Sequence, residues 1–232
     1  ALIFEDPAIR LNFPEVEKLP SPIISYDKLN IGYDNIPVLK HVGGSIMSDD
    51  RIALLGANGN GKSTFAKLLA KELKPQSGEF TMYEKLRIGY FNQHQYENLE
   101  LDRTPIDHLT KIMVGQSEMN VRTHLGSFGF QREKATTLVG KLSGGEKARL
   151  VFSMITCLKP HILILDEPTN HLDIDMRESL IFAINDFNGA VILISHDLHL
   201  IENTIDKLWI VKDQKIGPFN GSIEEYRDSL LK

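Results

Sequence analysis

The sequence predicts an α/β fold built on a mainly parallel sheet, and three observations carry that expectation. Three short runs, Arg51–Gly56, His161–Asp166 and Ala190–Ser195, are almost wholly apolar and end in polar loops, as central strands covered on both faces do. Helical spacings of apolar residues lie between and after them. Strand and helix signals therefore alternate, which is the pattern of a sheet with helical crossovers.

In chain order, Ala1–Pro22 holds four of the ten prolines and reads as an extended connector, because proline breaks helices and central strands. Ile23–Tyr33 alternates loosely, as a half-buried strand does. Phe65, Leu68, Leu69 and Leu73 share one helical face that stops before Pro75. The stretch from His94 to Lys141 lacks strong strand signals, and Thr104-Pro105 supplies a helix cap and first helical residue, so a small helical insert is expected there. Leu150, Val151, Met154, Ile155 and Leu158 form a helical stripe after Ser143, and Met176, Leu180, Ile181 and Ile184 form another after Asp173. The expected domain is residues 23–232, with the helical subdomain at about 94–150.

The 42% hydrophobic and 25% charged fractions are those of a globular chain and exclude disorder, collagen and low-complexity arrays. The longest apolar stretches, Leu150–Leu158 and Ala190–Ser195, fall well short of the roughly 18 residues a membrane-spanning helix needs. A net charge of −5 argues against a general polyanion-binding surface. The lone cysteine, Cys157, lies in an apolar helical pattern and reads as core filler in a reducing compartment, so the cytoplasm is expected. The first residue is Ala, with no basic, apolar leader, and the chain is expected to be a piece of a longer protein.

Gly56-Ala57-Asn58-Gly59-Asn60-Gly61-Lys62-Ser63 satisfies G-x-x-x-x-G-K-[ST] between a buried strand and a helix. Glycines let the backbone turn its N–H groups onto phosphate oxygens, and the positive end of the helix dipole faces the same anion. The stretch from Asn58 and Gly59 through Asn60, Gly61, Lys62 and Ser63 to Thr64 is the candidate phosphate site. Lys62 would reach the β- and γ-phosphates, and the Ser63 hydroxyl would hold Mg²⁺. A glycine-rich turn without ligand is the bland alternative.

The apolar run His161–Leu165 delivers Asp166 and Glu167 at its C-terminal end, where α/β proteins place ligands. Asp166 suits Mg²⁺ through a water, and Glu167 suits a general base for water attacking the γ-phosphate. Leu142-Ser143-Gly144-Gly145-Glu146 combines a capping box with two glycines at a helix start, a second anion site. One triphosphate has no use for two separate sites, so Ser143, Gly144 and Gly145 would complete the site of a partner domain.

LSGGE, ILILDEPTNHLD and ILISHD, in that order, resemble the nucleotide-binding domain of the ATP-binding cassette (ABC) family over about residues 23–225. The resemblance implies a P-loop ATPase core with a mainly parallel sheet, an antiparallel β subdomain and a small helical signature subdomain. It implies ATP and Mg²⁺ as ligands and makes Tyr33 the aromatic stacked on adenine; a core strand tyrosine is the alternative. Gln93 becomes the glutamine that contacts Mg²⁺ and the attacking water. Asp173 lies in the loop that communicates across a cassette pair, and His196 becomes the switch histidine that holds the γ-phosphate and steadies Glu167. It implies no comparable part for His94, His171 and His199. Two cassettes pack head to tail, so the partner is a second cassette, in the same longer chain or as a homodimer.

Glu167-Pro168-Thr169-Asn170-His171-Leu172-Asp173 resembles the ABC-F pattern, and the wider sequence resembles the second cassette of that family's bacterial YheS-type branch. This implies a soluble two-cassette protein acting on the ribosome near tRNA and rRNA, without membrane insertion, and makes residues 1–22 the remnant of the linker between cassettes. The rival readings are the ATPase subunit of a membrane transporter, docking near Gln93 and the helical insert, and a non-enzymatic scaffold.

Overall fold

A computed structural model describes residues 11–230. Part of the expected linker remnant, residues 1–10, lies outside them. The elements in chain order are β1 (Ile24–Tyr33), β2 (Ile36–Ile46), β3 (Arg51–Leu55), α1 (Lys62–Leu69), β4 (Ser77–Met82), β5 (Ile88–Phe91), α2 (Gln93–Glu97), α3 (Pro105–Ile112), α4 (Glu118–Ser127) and α5 (Gly144–Cys157). They continue with β6 (Ile162–Asp166), α6 (Ile174–Asp186), β7 (Ala190–Ile194), α7 (Leu198–Thr204), β8 (Lys207–Lys212), β9 (Lys215–Pro218) and α8 (Ile223–Leu230). Among the described residues no helix is long and apolar enough to cross a membrane.

The chain divides into two compact units. One comprises residues 16–90, 160–167 and 188 onward and contains both sheets. In the larger sheet the order is β5-β6-β7-β3-β8-β9, with β6, β7, β3 and β8 parallel and β9 antiparallel at the edge. In the smaller, β1 lies between β2 and β4, antiparallel to both. Helix α1 carries the apolar face that joins them: Phe65, Leu68 and Leu69 are fully buried in one cluster with Ile24, Leu29 and Ile31 of β1 and Ile162, Ile164 and Ile192 of the parallel sheet. Tyr26 meets the edge of the Phe65 ring at 5.6 Å.

The three apolar runs are the strands β3, β6 and β7, and Ile23–Tyr33 is β1 to within a residue. One expectation needs correction, and four strands went unread within the expected sheets. The helix after the glycine-rich loop does not run to Leu73: it ends at Leu69, and Lys71 adopts φ 63°. Leu73 still packs against the core, so the apolar spacing continues while the helix does not. Those four, β2, β4, β8 and β9, carry no strand signal strong enough to be read. Their faces are mixed and irregular, and the β1–β2 register is broken at three points. Their hairpins turn on Asp34-Asn35 (φ 49° and 62°) and Asp213-Gln214 (φ 50° and 61°), two-residue turns with both positions left-handed but without the glycine that usually marks them.

The other unit is mostly helical and, among described residues, comprises 11–15, 91–159 and 168–187. Its helices start where side chains supply the missing acceptors. Thr104 and Asp107 form a capping box on α3, with Pro105 at the first helical position. Ser143 and Glu146 form another on α5. Leu109, Leu125, Leu150 and Phe152 are fully buried in this unit's core. The connector segment has no helix or strand from Leu11 to Pro22. It is nonetheless fastened: Leu11 N–H donates to Ser179 Oγ at 2.7 Å, and Phe13 packs edge-on against Phe152 and Phe187.

Candidate phosphate-binding site

The parallel register builds one chemical edge. Ala53 pairs with Leu193 and Asp166 with Ile194, so the C-terminal ends of β3, β6 and β7 emerge together. The glycine-rich loop leaves β3 at Gly56, Glu167 follows β6, and His196 follows β7. Gly56 (φ 140°) and Gly61 (φ 105°) give the loop its path, and a Cβ at Gly56 would lie 2.3 Å from the Val211 carbonyl oxygen. Gly61 caps α1 and no side chain caps that helix start. Asn58 and Gly59 are exposed, as is Ser63, whereas Thr64 is buried. Asn60 turns its amide away to the Val211 carbonyl, at 3.0 Å.

Lys62 is only 8% exposed and lies folded back, donating to the Gly56 oxygen at 2.6 Å and the Ala57 oxygen at 3.1 Å. Burial lowers its pKa, against the pull of Glu167 and Asp166, which raise it. Burial lifts the Asp166 carboxyl above the ordinary range, against the pull of the nearby Ser63 hydroxyl and the Lys62 ammonium, which lower it. Glu167 takes a left-handed φ of 52° and is fixed by its N–H donating to the Ile194 oxygen at 2.8 Å. Its carboxyl too is raised by burial, with the His196 charge opposing. His196 Nε2 stands 3.5 Å from Glu167 Oε1 on a side chain 66% exposed.

Two half-buried carboxylates facing one ammonium leave a site that gains from further positive charge. The hydroxyl of Ser63 beside the carboxylate of Asp166 is a set of hard oxygen donors, which suits Mg²⁺. Among the described residues no three His, Cys, Asp or Glu side chains converge as a protein-only metal cage.

Lys62, Ser63, Asp166, Glu167 and His196 are thus brought together. Tyr33, at the end of β1, is 42% exposed, with the Lys67 ammonium 5.8 Å from its ring centroid, so it is not a core tyrosine. Gln93, Ser143, Gly144, Gly145 and Asp173 belong to the helical unit. Gln93 opens α2, exposed, with Nε2 donating to Glu97 Oε1 at 2.8 Å. Ser143 Oγ accepts from the Glu146 N–H, and Asp173 caps α6 by accepting from the Met176 N–H at 2.8 Å.

Some features had no signal in the sequence because they join distant positions. The exposed His171 ring stacks flat on Tyr96 at 4.2 Å, and the Tyr96 phenol oxygen would lie 3.2 Å from a Cβ at Gly144. Cys157 is half-buried, its thiol pushed up to about 11 by burial. Its neighbour His124 is 2.8 Å from the Ser153 carbonyl through Nε2, which must therefore donate there and cannot deprotonate the thiol.

The family model described as ABC transporter matches residues 39–170. The chain belongs to the ATP-binding cassette family. Over 225 residues the cassette is 45% identical to "Probable ATP-binding protein YheS" of Escherichia coli, covering 97% of this chain and 35% of that protein. It is 39% identical to "Protein GCN20" of Saccharomyces cerevisiae over 98% of this chain and 30% of that protein. Against "ABC transporter F family member 3" of Arabidopsis thaliana the identity is 40%, over 98% of this chain and 32% of that protein. It is an ABC-F-type cassette, and it spans about a third of the length of these curated relatives. Among solved structures it resembles a bacterial Atm1-family ABC exporter with ATP bound (TM-score 0.75, 20% identity, 94% of this chain and 43% of that one). It also resembles an ATP-binding subunit of an ABC transporter (TM-score 0.72, 23% identity, 90% of this chain and all of that one). At those identities the two structures speak to the fold alone.

Proposed function

We propose that the cassette hydrolyses ATP to ADP and phosphate with Mg²⁺, as the second cassette of a two-cassette ABC-F protein of the cytoplasm. The observation that carries this reading is the convergence of Lys62, Ser63, Asp166 and the Glu167–His196 pair on one sheet edge. The loop backbone from Asn58 to Thr64 binds the phosphates, and Lys62 exchanges its two carbonyl acceptors for phosphate oxygens. Ser63 and Gln93 would hold Mg²⁺, with Asp166 through a water, and the ion would supply neutralisation of the β- and γ-phosphate charge. Glu167 takes a proton from the attacking water as the new oxygen–phosphorus bond forms and the bond to the β-phosphate bridging oxygen breaks. His196 steadies that carboxylate and the γ-phosphate. Tyr33 stacks on adenine; its exposed ring supports this over a core role.

Ser143, Gly144 and Gly145 serve the ATP of a partner cassette, and Asp173 lies at that same junction. Support comes from the capping box, which aims the start of the fourteen-residue helix α5 and its backbone N–H groups. The partner is the other cassette of the longer chain, or a second copy of this one. Phosphate release by Glu167→Gln tests the catalytic assignment: turnover should collapse with ATP binding retained, and hydrolysis at the wild-type rate would remove Glu167 from the role of base.

The ribosome, through its rRNA and tRNA, is the proposed target of the longer protein, on the strength of the ABC-F character of Glu167–Asp173. The test is co-sedimentation of that protein with ribosomes, with the base replaced in both cassettes. Retention with ATP but not ADP is expected. Equal recovery in both would contradict nucleotide-dependent ribosome binding.

A further inference from the structure

The phosphate loop is held at its first residue by a side chain 170 positions away. The Gly56 N–H donates to the Tyr226 phenol oxygen at 2.8 Å, in a buried bond. Gly56 has no room for a side chain, since the Val211 carbonyl oxygen fills the space where a Cβ would stand. Four residues on, the Asn60 amide grips the same Val211 carbonyl. The loop is thus fastened at two points to the segment that ends in α8, by groups that take no part in the proposed phosphate contacts of Lys62 and Ser63.

The aim of Tyr226 is encoded locally. The Ser222 N–H donates to Glu225 Oε2 at 3.0 Å and the Glu225 N–H to Ser222 Oγ at 3.2 Å, a capping box that starts α8. One turn in, the Tyr226 N–H donates to the Ser222 oxygen. Ile223 and Tyr226, three apart and hence on one face, are both buried, and the Phe219 ring meets Tyr226 edge-on at 5.9 Å.

We propose that Tyr226 is a positioning residue whose phenol oxygen keeps the phosphate loop in its anion-ready shape and so raises the affinity for ATP. Without the phenol oxygen the Gly56 N–H is left buried without its acceptor, or the first peptide of the loop rotates toward water. The binding-competent fraction of the loop then falls, and apparent affinity falls with it. Glu167 and His196 are placed by β6 and β7, so the step at saturating ATP is not the one affected.

The proposal rests on the reading of Gly56–Ser63 as the ATP site, and the test separates the two. Tyr226→Phe keeps the ring and its packing and removes only the oxygen; Ile223→Ala loosens the same helix face and leaves the phenol. For the 232-residue chain, the Kd for a fluorescent ATP analogue and the nucleotide-free melting temperature are measured for wild type and both variants. Tyr226→Phe is expected to bind about five- to tenfold more weakly, the factor for one hydrogen bond, with KM rising alike and kcat holding. Ile223→Ala should lower the melting temperature at least as far and leave Kd in place. Wild-type affinity in Tyr226→Phe overturns the proposal, as does an equal loss of affinity in both variants. A wild-type chain that binds no ATP overturns the site reading and the latch with it.

Discussion

Glu167 stands in a left-handed backbone conformation that costs a non-glycine residue about 1–2 kcal/mol, and the Ile194 carbonyl holds it there. Nine other non-glycine residues among those described share that region, so at Glu167 it is the place at the end of β6 beside the glycine-rich loop that fits the proposed base. Its pKa is raised, with burial as the main cause, and a general base works only when ionised. Turnover should therefore be lost as pH falls, along a limb lying above 4.5, the ordinary glutamate value, and Glu167→Gln should abolish both the limb and at least about 100-fold of the rate. A pH–rate profile of the two proteins checks this. His161 has the opposite sense. Its imidazole is almost fully buried, and Nδ1 accepts from the Arg87 N–H at 3.1 Å. Burial, then the Arg87 charge, lower its pKa, against the pull of Glu17. The fold binds it neutral while the unfolded chain protonates it, so stability is complete above about pH 6.5 and falls as pH drops toward the folded pKa, by at most about 1.4 kcal/mol per pH unit. His161→Asn keeps an acceptor in the Nδ1 position, and its melting temperature should fall less than that of the wild type between pH 7.5 and 5.5. Parallel curves would remove His161 from the acid response. Lys62, Ser63, Asp166 and Glu167 were legible because motif residues at strand ends gather wherever the strands are parallel, whereas His196 was named only through family likeness. Tyr226 was not legible, because nothing local marks a phenol that bonds 170 residues back.

At the scale of elements, β3, β6 and β7 were readable because both faces are covered and the runs are continuously apolar. The half-exposed strands β2, β4, β8 and β9 have neither that continuity nor clean alternation, and their turns carry Asp, Asn and Gln in place of glycine. Helix starts were the most readable feature, since Ser143, Thr104 and Asp173 all cap as their types demand. Helix ends were the least, as α1 shows by stopping at Leu69. Removing the Ser143 hydroxyl should cost about 1 kcal/mol of stability, read as a lower melting temperature of Ser143→Ala. Phe65 joins α1 to both sheets, and Phe65→Ala should cost about 3–5 kcal/mol in a denaturant titration. A loss below 1 kcal/mol would mean that α1 is not the element holding that core together.

At the scale of the molecule, the two units divide the chemistry. One holds the loop, both carboxylates and the histidine; the other holds Gln93, Asp173 and the Ser143–Gly145 helix start. The Ser143–Gly145 helix start was readable from its own residues as an anion site for a partner, whereas Gln93 and Asp173 were named only through family likeness, because nothing local marks an exposed glutamine or a helix-capping aspartate as functional. A shared site makes catalysis depend on association, because each chain then supplies half of every active centre. The most direct test of this account is the rate of phosphate release per chain across a wide range of protein concentration, at saturating ATP and Mg²⁺. The rate per chain should be feeble when dilute and climb with concentration until pairs saturate. A brisk rate that stays constant down to concentrations where the chain sediments as a monomer would contradict it, since one cassette would then be hydrolysing ATP alone.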